Sequence, residues 1–246
     1  MTVLDDLSTG SLENIKHLKN HKNFVFKKGS VLNEKELAPL VKKTDKIFHL
    51  AAAVGVKYII EKPLYSMANN ILGAENVLRL AAKRNTPVLI TSSSEVYGKL
   101  DRFPFREDAD RLYGAASNER WGYGLSKAVD EFMALGYYRE KGLPTVVVRL
   151  FNTVGPRQTG RYGMVIPTFI AQAKSGKPIT VYGTGTQVRC FGHVYDIANA
   201  IIKLMMDTPK AVGEIINLGS TEAITMNSLA QKIKKMTGSK SPIVHI

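Results

Sequence analysis

The chain has 246 residues, 44% of them hydrophobic and 22% charged, enough to bury one large core or one core with a smaller appendage. No apolar run approaches the roughly 18–20 residues that span a bilayer, which excludes a helical membrane segment. The formal net charge of +13 rests largely on scattered lysines, with no arginine-rich run and no interleaved aromatics, so a solvated basic face is expected rather than a nucleic-acid surface.

Val3-Leu4 running into Asp5-Asp6 and then Ser8-Thr9-Gly10 reads as a strand that ends in an acid and a turn. Further strands are expected at Phe24–Lys27, Lys46–Ala51, Pro87–Ser92, Pro144–Leu150 and Glu214–Leu218. Helical patterns fill residues 12–20, 34–43, 66–84, 120–141, 164–175, 194–207 and 226–237. Runs such as VLITS and VVVRL are apolar almost throughout, as strands covered on both faces must be. The alternation predicts an α/β fold of the Rossmann type, a doubly wound parallel sheet with a smaller substrate-binding subdomain. Two irregular stretches, 98–119 and 152–163, are too long for plain connections and fall at strand carboxyl ends, where ligands bind in such sheets. Cys190 is the single cysteine, so no internal disulfide can form, which suits a reducing cytoplasm. The five histidines (17, 21, 49, 193 and 245) show no metal-ligand spacing with it.

Two features carry chemistry. In Tyr123-Gly-Leu-Ser-Lys127 the phenol and the ammonium are four residues apart and share a helix face. A nearby ammonium stabilises phenolate and would lower the tyrosine pKa toward a general-base range. An exposed Tyr/Lys pair could share that spacing by chance. The strand Val88–Ser94, however, ends in hydroxyls and runs into Glu95-Val-Tyr-Gly98, and Ser93 lies thirty residues before Tyr123. A hydroxyl there can hold a substrate alcohol while the tyrosine deprotonates it.

These motifs, with VLDDLSTG, HLAAAVGV, NNILGAENVL, RLFNTVGPR and TVYGTGTQVRCF, resemble the extended short-chain dehydrogenase/reductase family in its nucleotide-sugar epimerase, dehydratase and decarboxylase branch. The resemblance implies bound NAD, transient oxidation of the sugar at C4, and a homodimer built on the helices around 66–84 and 120–141. It implies a catalytic trio of Ser93, Tyr123 and Lys127, with Lys127 also holding the nicotinamide ribose. Asp5 would take the adenosine ribose hydroxyls. Val31 falls in the adenine-contacting position, although Ser30 stands where the family has an acid. Leu50, Ala51 and Ala52 would line the cofactor channel, and Asn70 would reach the same region. Asn152 and Arg189 resemble ligands of the sugar-nucleotide diphosphate, and Tyr182 could stack on its base. The NAD-binding domain would comprise 1–151 with 187–219 returning to it, and 152–186 with 220–246 would form a partial sugar-nucleotide subdomain.

Three reactions share that beginning. A 4,6-dehydratase resembling this chain carries Asp-Glu where Ser94-Glu95 stands, and serine is a poor proton donor, so that reaction is disfavoured. A UDP-glucose 4-epimerase needs neither group. Ser-Glu resembles the UDP-glucuronate decarboxylases, which are preferred here, with Glu95 beside C5. A catalytically idle binding or scaffold protein is the reading from another class. No G-x-G-x-x-G opens a helix anywhere, and Gly183-Thr-Gly185 lacks the third glycine. The sequence is therefore expected to be a fragment without the first strand and helix, its sheet split between Thr2–Leu4 and Lys46–Ala51.

Overall fold

A computed structural model describes residues 1–54, 59, 61–160 and 163–246. The Gly55-Val56 end of HLAAAVGV lies outside the described residues. The chain divides into two units, described in turn. The first comprises Met1–Val54, the chain from residue 59 to Leu150, and Ile201–Asn217; the second comprises Phe151–Ala200 and Leu218–Ile246. The return to the first unit thus covers 201–217, whereas 187–200 packs with the second.

In the first unit, β1 (Thr2–Asp5) pairs in parallel with β2 (Val25–Lys28) as a separate two-stranded sheet. A four-stranded sheet runs in the order β10 (Ile215–Leu218), β5 (Thr145–Leu150), β4 (Val88–Ser93), β3 (Ile47–His49). The strands β3, β4 and β5 are mutually parallel. Among the described residues no ladder joins β1 to β3, as the expected split requires. The third strand is shorter than expected, so Leu50 and Ala51 leave the sheet.

Both central strands are buried over their first five residues, as their apolar runs demand. Helix α1 (Glu34–Val41) starts at Asn33, whose side chain accepts from the Lys35 N–H. Helix α2 (Pro63–Ala82) opens on proline, which fits the first turn because no intrahelical donor is lost there. Helix α3 (Trp121–Lys141) ends on Gly142 in the left-handed conformation, φ 67°. Val77, Leu78, Ile90, Ala134, Leu143 and Val147 form the centre of this core. Each of the larger side chains contributes about 1.5–3 kcal/mol by leaving water.

The second unit has its own core of Phe169, Ile179, Val181, Met226, Leu229 and Ile233. Helices α4 (Val165–Lys174) and α6 (Met226–Met236) pack beside short strand pairs. Helix α5 (Val194–Met206) carries the chain from this unit back to the first. Here β7 (Ile179–Val181) pairs with β12 (Ile243–His245), β8 (Val188–Cys190) with β11 (Ala223–Thr225), and β6 (Thr153–Val154) with β9 (Gly192–His193). Among the described residues no helix is long and apolar enough to cross a membrane.

Candidate active site

The carboxyl end of β4 delivers Ser92 and Ser93 and then tightens into a 3-10 turn over Ser94–Tyr97. The Ser93 hydroxyl caps that turn by accepting the Glu95 N–H at 3.2 Å. Helix α3 lies against the turn, and Gly124 makes that approach possible. A Cβ there would stand 2.5 Å from the Glu95 carbonyl oxygen, a distance real Cβ atoms do not reach. The glycine of YGLSK therefore sets how near Tyr123 comes to Ser93 and Glu95.

The phenol of Tyr123 is not depressed toward neutrality. Burial pushes it up to about 12; the Ser93 hydroxyl, within hydrogen-bonding range, works the other way, while the negative charges of Glu95 and Asp130 raise it further. This corrects the expectation that Lys127 lowers the tyrosine pKa. The Lys127 ammonium, 2% exposed, is instead held by fully buried Asp130 at 3.0 Å. Burial pushes the Asp130 carboxyl up to about 6 against the pull of Lys127. His49, at the end of β3, is buried, and desolvation with the Lys127 charge drives its pKa down to about 3. Its Nε2 and the Oδ1 of Asp130 have no hydrogen-bond partner.

Behind these groups Glu131 and Arg149, each 1% exposed, form a two-bonded pair at 2.9 Å. Ser92 Oγ donates to Glu131 at 2.6 Å, and Arg111 adds a second guanidinium. Arg149 also donates to the Tyr97 hydroxyl at 2.8 Å, which donates to Asn217 at 2.7 Å. The network ties β4, α3, β5 and β10 together one residue behind Ser93. Sequence reasoning did not single out Asp130, Glu131 or Arg149. The available signal was a lone arginine in the apolar strand VVVRL, which needs an acid partner wherever both faces are buried.

The expected cofactor residues separate. Asp5 is exposed at the end of β1; its Oδ1 accepts the Leu7 N–H at 2.7 Å, and Oδ2 has no partner. An open carboxylate oxygen at a strand end fits a ribose diol. Leu50 is exposed, and Ala51 and Ala52 are half-buried with small side chains. Asn70 does not fit the expectation of cofactor contact. It is 1% exposed, its Oδ1 accepts the Ala53 N–H at 2.8 Å, and its amide donates to Ser126 at 3.1 Å, so it pins the post-β3 loop to α3. Val31 is likewise buried in the core, against Gly73.

In the second unit Asn152 is exposed and donates to the Cys190 carbonyl at 3.0 Å, placing it beside the next strand residue, Arg189. Arg189 is exposed, and one of its nitrogens donates to the Val188 carbonyl at 2.8 Å. Tyr182 is 73% exposed after β7, a free ring face for stacking.

The model of the family described as GDP-mannose 4,6 dehydratase matches residues 1–244. The chain belongs to this family. Within reach of it are enzymes of several reactions. A UDP-N-acetyl-alpha-D-glucosaminuronate decarboxylase of Bacillus cytotoxicus is 44% identical over 218 residues, which are 88% of this chain and 67% of that protein. UDP-glucuronic acid decarboxylase 1 of Danio rerio is 34% identical over 99% of this chain, and there the chain spans 56% of its relative. Among solved structures, a UDP-glucuronic acid 4-epimerase from Bacillus cereus, in complex with UDP-glucuronic acid and NAD, superposes with a TM-score of 0.89 at 25% identity. That match covers 100% of this chain and 77% of the epimerase. The family and the doubly wound α/β fold are those the motifs implied.

Proposed function

We propose that the protein is an NAD-dependent decarboxylase of a UDP-linked hexuronate, with UDP-glucuronate or its 2-acetamido analogue as substrate. The observation that carries this reading is the Ser94-Glu95 pair beside the trio: one carboxylate, with no second acid for dehydration. The decarboxylase names of the relatives at 44% and 34% identity support it. NAD⁺, when bound, supplies the hydride acceptor for oxidation at C4. Asp5 would hold its adenosine ribose, and Ala51 and Ala52 would let its backbone approach.

The remaining work falls to this chain. Ser93 orients the C4 hydroxyl, and Tyr123 takes its proton. Lys127, released from Asp130 or shared with it, stabilises the phenolate that burial otherwise opposes. The resulting 4-keto acid has its carboxylate β to the ketone, so the C5–C6 bond breaks, CO2 departs and the electron pair passes into an enolate. Glu95 stands at the proton delivery to C5. Asn152, Arg189 and Tyr182 hold the UDP.

We also infer a cytoplasmic homodimer. Leu125, Val129 and Phe132 recur at i, i+4 and i+7 on α3 and remain 38%, 38% and 67% exposed, with Leu72 on α2 at 53%. Light scattering at the monomer mass alone would refute the dimer. For the reaction, the protein is incubated with UDP-glucuronate, its 2-acetamido analogue and UDP-glucose, and the products are read by NMR. A UDP-pentose is expected from an acidic substrate; conversion of UDP-glucose to UDP-galactose would replace the reading with 4-epimerisation.

A further inference from the structure

Arg120 precedes the first residue of α3 and stands three positions before Tyr123. One of its Nη atoms lies 3.7 Å from a Glu95 carboxylate oxygen, with the side chains 57% and 49% exposed. That separation is beyond hydrogen-bond length, and among the described residues the guanidinium has no hydrogen-bond acceptor. So exposed and loose a pair adds little to folding, so stability does not explain why this cation is here. The side chain is nevertheless held. Its guanidinium carbon rests 5.5 Å from the centre of the Trp121 ring, and Lys99 Nζ lies 5.5 Å from the same centre. The ring itself is 8% exposed and packs edge-on to Tyr113, so it is a fixed platform.

Glu95 is close enough to Tyr123 that its charge raises the phenol pKa, so Arg120, which touches Glu95, borders the same reaction centre. A substrate carboxylate brought beside Glu95 would meet a like charge. A guanidinium already seated there offsets that repulsion and offers a planar fork of donors matched to a carboxylate. We infer that Arg120, seated on Trp121 and loosely tethered by Glu95, is the specificity residue that recognises the hexuronate carboxylate.

This inference rests on the decarboxylase reading and adds one residue to it. It also says how that residue acts. An ion pair to the carboxylate favours the bound acid and does nothing to expel CO2, so Arg120 serves selection rather than bond cleavage.

The test is calorimetric binding of UDP-glucuronate and of UDP to the whole protein, wild type and Arg120→Gln, with Arg120→Lys as the conservative variant. UDP affinity reports that the variant is folded and its nucleotide site intact. The expected result is a tenfold to hundredfold loss of UDP-glucuronate affinity in Arg120→Gln, a smaller loss in Arg120→Lys, and UDP affinity within threefold of wild type. Equal loss for both ligands, or retained preference for the acid in Arg120→Gln, would overturn the role of Arg120 and leave the decarboxylase reading standing. A wild type that binds UDP-glucuronate no better than UDP-glucose, and forms no UDP-pentose from it, would overturn both.

Discussion

Two arginine–glutamate pairs flank the same helix, and they are opposites. Glu131 and Arg149 are buried, joined by two bonds of 2.9 Å and satisfied further by Ser92, Arg111 and Tyr97. Glu95 and Arg120 are half in water, 3.7 Å apart and without a shared hydrogen bond. The first pair is made of charges that could not be buried singly, so each fixes the other and, through them, the strand ends of the sheet. The second pair costs little to open. A frame needs partners that never separate, and a binding site needs groups that can change partners; α3 carries one of each, a few residues from Tyr123.

Breaking the frozen pair should have the largest effect on folding. Glu131→Gln keeps the shape but leaves the Arg149 guanidinium buried with no counter-charge, and about 3–5 kcal/mol of stability should be lost in urea titration. A loss below about 1 kcal/mol would mean that the network is looser than its distances. Tyr123→Phe should leave the melting temperature and UDP binding close to wild type while lowering turnover by about 10²–10⁴, because only the proton acceptor is removed. Unchanged turnover would remove Tyr123 from the chemistry.

Glu95→Gln sharpens the contrast. Its stability change should stay within about 0.5 kcal/mol, as for other exposed substitutions, while conversion of UDP-glucuronate falls strongly. A mild loss of turnover would favour a 4-epimerase, where this carboxylate has no task.

The smallest effect concerns His49. Its pKa is lowered from 6.5 to about 3, so the folded state stays neutral while the unfolded chain takes up a proton. The contribution is therefore present above pH 6.5 and is lost as the pH falls toward 3, at up to about 1.4 kcal/mol per pH unit. His49→Gln should flatten the acid side of a stability–pH curve; an unchanged slope would show that His49 is protonated in the fold.

Much of this was legible in the residues. VLITS and VVVRL announced central buried strands because both faces of a parallel sheet are covered, and β4 and β5 are indeed buried. The i, i+4 spacing placed Tyr123 and Lys127 on one helix face, and the TSSSEVYG run put hydroxyls at a strand end. The short strands at 179–181, 188–190, 223–225 and 243–245 escaped because three residues carry no period, and distant partners decide their pairing. The direction of the Tyr123 shift escaped for a different reason. Spacing shows that an ammonium is near, but not that Asp130, one turn on, already neutralises it in a dry setting. Asn70 was misread in the same way: a polar residue in a helix reads as available until its partners, Ala53 and Ser126, are known.

The central claim is that the site releases the sugar carboxyl as CO2, and the fate of that carbon tests it most directly. UDP-glucuronate labelled with ¹³C at C6 is incubated with the protein and NAD⁺, and the label is followed by NMR. The account predicts that the label appears as bicarbonate in step with an unlabelled UDP-pentose. A label that stays on a six-carbon sugar, whether as substrate or as its C4 epimer, would contradict it.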